Sequence, residues 1–153
     1  PGIIRRIKDL AHPRGRPRVY HPGMFSYRHG FHAGNHADVL KHTVLIATLR
    51  HLTAKDTPLA VIDTHAGAGL YRLDDEFAAT SGEAADGILK LFSAMKAGAA
   101  LAPLTADYAA LVASFNRPGE LRVYPGSPFV AQSLLRTEVK DRLTLFELHP
   151  TDS

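Results

Sequence analysis

The sequence predicts an α/β domain with a parallel sheet, on three observations. Two short unalternating apolar runs, Leu59-Ala60-Val61-Ile62 and Leu143-Thr144-Leu145-Phe146, each end on an acid, Asp63 and Glu147. The first acid opens directly into a glycine loop, His65-Ala66-Gly67-Ala68-Gly69. Stretches of helical periodicity lie before and between the runs. Unalternating apolar strands closed by an acid and glycines are the pattern of buried parallel strands that carry a ligand loop at their carboxyl ends.

The elements follow in chain order. Residues 1–23 hold Arg5, Arg6, Lys8, Arg14, Arg16 and Arg18 against Asp9 alone, with Pro13, Pro17 and Pro22 interrupting any period. This basic leader is therefore expected to be disordered or non-native, with a basic RNA-contacting arm as the alternative, and it lacks the apolar core of a secretory signal and the Ser and Thr of a transit peptide. Residues 24–153 carry 12 basic and 14 acidic groups, so the overall charge of +3 does not describe a basic body. Clustered Lys and Arg, on which nucleic-acid affinity largely rests, are confined to the leader.

From Tyr27 to His42 the chain is polar and rich in histidine, and it then enters a helix. Asn35 suits the N-cap with Asp38 three residues on, and Leu40, Val44 and Ala47 recur at helical spacing, which predicts a helix over about 35–52. His42 falls in phase with Val39, Ile46 and Leu49, the position of a core-edge histidine. After the first strand, Thr80 and Glu83 form a capping-box pattern. Two amphipathic helices follow, one through Ala85, Ile88, Phe92 and Met95 and one through Leu104, Tyr108, Leu111 and Phe115. Asn116-Arg117-Pro118-Gly119 is a turn, Leu121–Tyr124 is extended, and Pro125-Gly126-Ser127-Pro128 reads as Ser127 capping a helix that runs to about Arg136. Ser127 has a second reading, as a hydroxyl offered to a ligand carboxylate.

Composition removes several chemistries. With no cysteine, disulfide scaffolds, thiolate metal sites and cysteine nucleophiles are excluded, and a reducing compartment, the cytoplasm, is the expectation. No apolar window approaches the roughly 18 residues of a helical membrane span. His29, His32, His36 and His42 invite a metal site, but no H-E-x-x-H spacing is present and no metal is expected. No G-x-S-x-G elbow supports a serine nucleophile. Asp63 followed by Gly67-x-Gly69 departs from the G-x-G-x-x-G of dinucleotide enzymes and is closer to the loop by which methyltransferases hold S-adenosylmethionine. A plain glycine turn remains the alternative. Glu147 stands where nucleotide-type ligands meet an acid that takes the ribose hydroxyls, or is simply an exposed strand-end carboxylate.

Taken together, Met24–His42, Asp63-Thr64-His65-Ala66-Gly67-Ala68-Gly69, Tyr124-Pro125-Gly126-Ser127-Pro128 and Glu147-Leu148-His149-Pro150 closely resemble the RlmJ family of 23S ribosomal RNA adenine-N6 methyltransferases. The agreement covers residues 24–153. It implies a Rossmann-like class I methyltransferase fold with a small helical insertion subdomain at about 80–118, S-adenosylmethionine as cofactor, 23S ribosomal RNA as partner and a cytoplasmic, monomeric enzyme. By the same resemblance His42, His65, Ser127 and Glu147 line the cofactor site and Tyr27 lies by the target base.

Amino-directed methyltransferases of this kind also carry a D/N-P-P-Y/F motif that orients the adenine amine, and this sequence has no Asp-Pro or Asn-Pro step. The expectation is therefore an incomplete fold, the amino-terminal portion of such an enzyme, inactive and poorly stable alone. Two other readings stay open: a non-catalytic module that binds cofactor or RNA, and an adenine methyltransferase for another nucleic acid.

Overall fold

The computed structural model describes residues 5–6, 32–73 and 83–147. Helix α1 (His36–Thr53) opens the main body and lies one residue from its predicted bounds. Its start is set reciprocally. The Asn35 side chain accepts the Asp38 N–H at 2.9 Å, and the Asp38 carboxylate accepts the Gly34 N–H at 3.1 Å. Asp38 in the first turn and Arg50 and His51 in the last complement the helix dipole.

Strand β1 is the pair Arg5–Arg6, β2 is Ala60–Asp63 and β5 is Arg142–Leu145. They form one parallel sheet in the order β1-β5-β2, with Val61 opposite Leu143 and Asp63 opposite Leu145. Of the leader, only this two-residue strand belongs to the described residues. The two apolar runs thus become adjacent parallel strands, as their composition predicts. Full burial of β2 does not follow, and Ile62 is 64% exposed. The described helices cover only the other face, where Leu49 of α1, Ala131 and Leu143 form a small core joined by Val61 and Leu145.

Between β2 and β5 come β3 (Leu70–Arg72), a 3-10 turn at Glu83–Asp86, α2 (Ile88–Lys96), α3 (Pro103–Ser114), β4 (Val123–Pro125) and α4 (Ser127–Gln132). Strands β3 and β4 pair antiparallel, with Tyr71 opposite Tyr124. Thr80 lies outside the described residues. Glu83 is taken up by the histidine-rich segment, accepting from Asn35 Nδ2 at 3.0 Å and hydrogen-bonded to His32 Nδ1 at 2.7 Å.

The two central helices arise where their apolar periodicity places them, and their buried residues Ile88, Tyr108 and Val112 share one core with Ile46 of α1, Tyr124 and Val130. Arg50 of α1 also pairs with Asp107 of α3. Helix α2 sits directly on the loop before α1. A side chain at Gly87 would place its Cβ 2.1 Å from the Gly34 carbonyl oxygen, and the Ile88 N–H donates to that same oxygen at 2.8 Å.

Helix α4 departs from its predicted form at both ends. Gly126, not Ser127, occupies the N-cap, and no side chain caps the helix. The helix stops at Gln132, four residues short, because Arg136 is drawn away. Its guanidinium reaches the carbonyls of Thr53, Lys55 and Thr57 at 2.5, 2.6 and 3.2 Å, at and just beyond the last residue of α1.

Candidate active site

The site is built at the carboxyl ends of β2 and β5. At the end of β2 the chain must leave the sheet and turn back toward β4 within a few residues. Gly69 makes that turn with φ +81°, where a Cβ would lie 2.9 Å from the Phe129 ring, and its carbonyl accepts the Gly126 N–H at 2.6 Å. The loop is also tied to β5, since the Ala66 N–H donates to the Phe146 carbonyl at 3.0 Å. Only a residue without a side chain fits at Gly69, so the glycine loop is a requirement of the path as well as an opening toward a ligand.

Alternation along β2 puts Asp63 on the same face as Val61, under the start of α4. There its carboxylate accepts the Ser127 hydroxyl at 2.6 Å through one oxygen and the His65 N–H at 3.1 Å through the other. Ser127 is therefore not the cap of its helix. Its hydroxyl turns into the site and holds the strand-end acid. At the end of the neighbouring strand, Glu147 accepts the Gly67 N–H at 2.6 Å, so the two acids grip the loop from both sides.

A cleft of about 80 Å³ opens beside this loop, lined by His42, His65 and Ser127 together with Asp38, Lys41 and Tyr124. His42 comes from the buried face of α1 and is 7% exposed. Its Nδ1 lies 2.8 Å from the Tyr124 hydroxyl, and the two rings stack at 19° with centroids 5.6 Å apart. Burial pushes His42 below the usual histidine range, outweighing the nearby Asp38 and Asp63 carboxylates that favour the cation. His65 is exposed, with Nδ1 2.9 Å from the Thr64 hydroxyl. At the cleft rim Lys41 pairs with Asp38 at 2.7 Å.

Of the five residues that the sequence singles out, His42, His65 and Ser127 share the cleft. Glu147 reaches the same loop at Gly67, and Tyr27 lies outside the described residues. Sequence reasoning missed Tyr124 as a partner of His42, and Tyr108 behind it. Their one signal is that a tyrosine placed at a core position brings a hydroxyl that must find a partner there. Among the described residues, no three His, Cys, Asp or Glu side chains gather as a metal-binding set.

The donor set suits a nucleoside that also carries an amino-acid group. Two carboxylates at adjacent strand ends can accept from hydroxyls or an ammonium, and the glycine loop lets the backbone come close. The imidazoles and the Ser127 hydroxyl add further polar contacts.

Comparison with known proteins points to one family. The family model described as "Ribosomal RNA large subunit methyltransferase D, RlmJ" matches residues 56–153. The chain is 50% identical over 129 residues to Ribosomal RNA large subunit methyltransferase J of Escherichia coli strain K12, and 45% identical over 130 residues to the protein of the same name from Haemophilus influenzae. Each alignment takes in 84% of this chain and 44% of the relative, so the chain spans less than half the length of the curated relatives it matches. The crystal structure of protein LPL1258 from Legionella pneumophila superposes with a TM-score of 0.70 at 40% identity, over 79% of this chain and 42% of that one.

Proposed function

We propose that this chain, which belongs to the RlmJ family, holds S-adenosylmethionine at the ends of β2 and β5 for methyl transfer to the exocyclic N6 amine of an adenine in 23S ribosomal RNA. The observation that carries the reading is the pair of acids. Asp63 and Glu147 end adjacent parallel strands and bracket one glycine loop beside the cleft that His42, His65 and Ser127 line. The fold is read accordingly as Rossmann-like, with the helices between β3 and β4 as an insertion.

In this reading Glu147 takes the ribose hydroxyls, and the Gly67 N–H that it now accepts is the neutral stand-in for them. Asp63, steadied by Ser127, takes donors from the amino-acid end, and His42 and His65 bound the cleft. When bound, the cofactor would supply an electrophilic methyl group on a sulfonium to the adenine amine, with the thioether S-adenosylhomocysteine as the leaving group. That amine is a poor nucleophile, because its lone pair is delocalised into the adenine ring, and it must be oriented for in-line attack. No Asp-Pro or Asn-Pro step occurs among these 153 residues, so the role assigned to them is holding the cofactor and placing the base, with Tyr27 beside it. The same absence favours a second reading, in which the chain binds cofactor or RNA without turnover. The partner is ribosomal RNA in the cytoplasm, met as a monomer and without a metal.

Calorimetric titration with S-adenosylhomocysteine tests the site. Saturable binding at one site per chain is expected, weakened about tenfold or more in Glu147→Gln, because a charged acceptor is lost. A folded protein that does not bind, or a variant that binds equally well, overturns the assignment. Methyl incorporation into protein-free 23S ribosomal RNA by the 153-residue chain itself would refute the division of roles, since turnover is not expected of it.

A further inference from the structure

Behind His42 runs a short chain of buried polar atoms. The Tyr124 hydroxyl lies 2.8 Å from His42 Nδ1, and the Tyr108 hydroxyl lies 3.2 Å from that of Tyr124. Both tyrosines are fully buried, one on β4 and one on α3. Burial holds both phenols above the usual tyrosine range, so each keeps its proton.

The direction of the chain follows from counting protons. Each hydroxyl has one to give, and a buried donor needs an acceptor. Among the described residues, Tyr108 has only the Tyr124 oxygen to give to. If Tyr108 donates to Tyr124, then Tyr124 donates to His42 Nδ1, both buried hydroxyl protons are matched, and the ring's one N–H is Nε2–H, on the side of the cleft that His42 lines. The reverse direction, with His42 Nδ1–H donating to Tyr124 and Tyr124 to Tyr108, strands the Tyr108 proton in an apolar core, where a buried donor left without an acceptor is costly.

We propose that Tyr124, backed by Tyr108, is a positioning residue that fixes His42 as its Nε2–H tautomer, so that the imidazole presents an N–H donor to the cleft for an oxygen acceptor on the ligand. The tautomer stands on the buried chain alone. Only the identity of the ligand rests on the cofactor reading above. The device also ties α3, far along the chain from the glycine loop, to the chemistry of the cleft.

Long-range nitrogen–proton NMR of the His42 ring in the intact protein reads the tautomer directly. At neutral pH a protonated Nε2 and a bare, hydrogen-bonded Nδ1 are expected, and Nδ1–H or an average of the two overturns the proposal. Tyr108→Phe, which does not touch the cleft, removes the proton that sets the direction. It is expected to turn the single tautomer into a mixture and to weaken S-adenosylhomocysteine binding by about threefold to tenfold. Tyr124→Phe should do the same more strongly. A purely structural tyrosine pair would lower the melting temperature and leave the tautomer unchanged, and that result also overturns the proposal. A protein that shows the Nε2–H tautomer and binds no S-adenosylhomocysteine would refute the cofactor reading and leave the relay standing.

Discussion

The two ends of the β2–β5 pair both hold carboxylates, and they treat them differently. At the amino ends, Asp141 is walled in. Its side chain is 0% exposed, and its oxygens take the Arg136 guanidinium at 3.0 and 3.2 Å, the Arg136 N–H at 2.9 Å and the Leu59 N–H at 2.8 Å. At the carboxyl ends, Asp63 takes a hydroxyl and one backbone N–H, both neutral. A carboxylate locked to a guanidinium has its charge answered within the protein, whereas one held by neutral donors keeps charge to offer a ligand. The difference teaches that one strand pair carries its fastening at one end and its binding chemistry at the other.

Breaking the fastening should give the largest effect. Arg136→Ala leaves Asp141 buried beside its two backbone donors and leaves the carbonyls of Thr53, Lys55 and Thr57 without their shared partner. Removing one member of a buried pair costs far more than the pair contributes. A fall in melting temperature on the order of 10 °C is expected by thermal unfolding. A variant that melts with the parent would show that the two ends are not distinguished as argued.

The same contrast appears in acid. Arg136 and the N–H groups of Arg136 and Leu59 hold the Asp141 carboxyl well below the usual carboxylate range. Because its folded value is depressed, the stability it contributes is complete above the ordinary carboxylate value of about 4 and is lost as pH falls below it toward the folded value. Denaturant unfolding followed from neutral pH downward should show this loss. Asp141→Asn should start less stable and lose less across the same acid window. An equal acid slope in both proteins would assign the loss to other carboxylates.

How much of this was legible in the sequence differs between the two ends. The glycine loop, the strand-end acids and the helix start at Asn35 could be read because each depends on neighbours a few residues away. The extended reading of Leu121–Tyr124 overlaps β4, whereas β3, three residues long, carries too little pattern to read, and the pairing of the two depends on the turn at Gly69. The Arg136–Asp141 fastening could not be read, because the carbonyls it gathers lie about 80 positions earlier in the chain. Ile62 reads as core by composition and stands exposed, because apolarity says nothing about which face is covered. Ser127 illustrates the reverse: the local rule for a serine before proline predicts a cap, and the nearby Asp63 carboxylate takes the hydroxyl instead, since a charged acceptor forms the stronger bond.

Ser127 is also where the comparison can be drawn most finely. If the carboxyl end is organised for a ligand rather than for stability, Ser127→Ala should change unfolding by no more than about 1 kcal/mol, because Asp63 keeps its His65 N–H and has water within reach. The same substitution should loosen the orientation of Asp63 and weaken S-adenosylhomocysteine binding by roughly threefold to tenfold, read by calorimetry. Affinity would then fall while the melt stays almost fixed, the opposite of Arg136→Ala, where the melt falls first. If Ser127→Ala instead lowered the melt as far as Arg136→Ala and left affinity untouched, both ends would be fastenings. The neutral donors at Asp63 would then be packing and not preparation for a ligand.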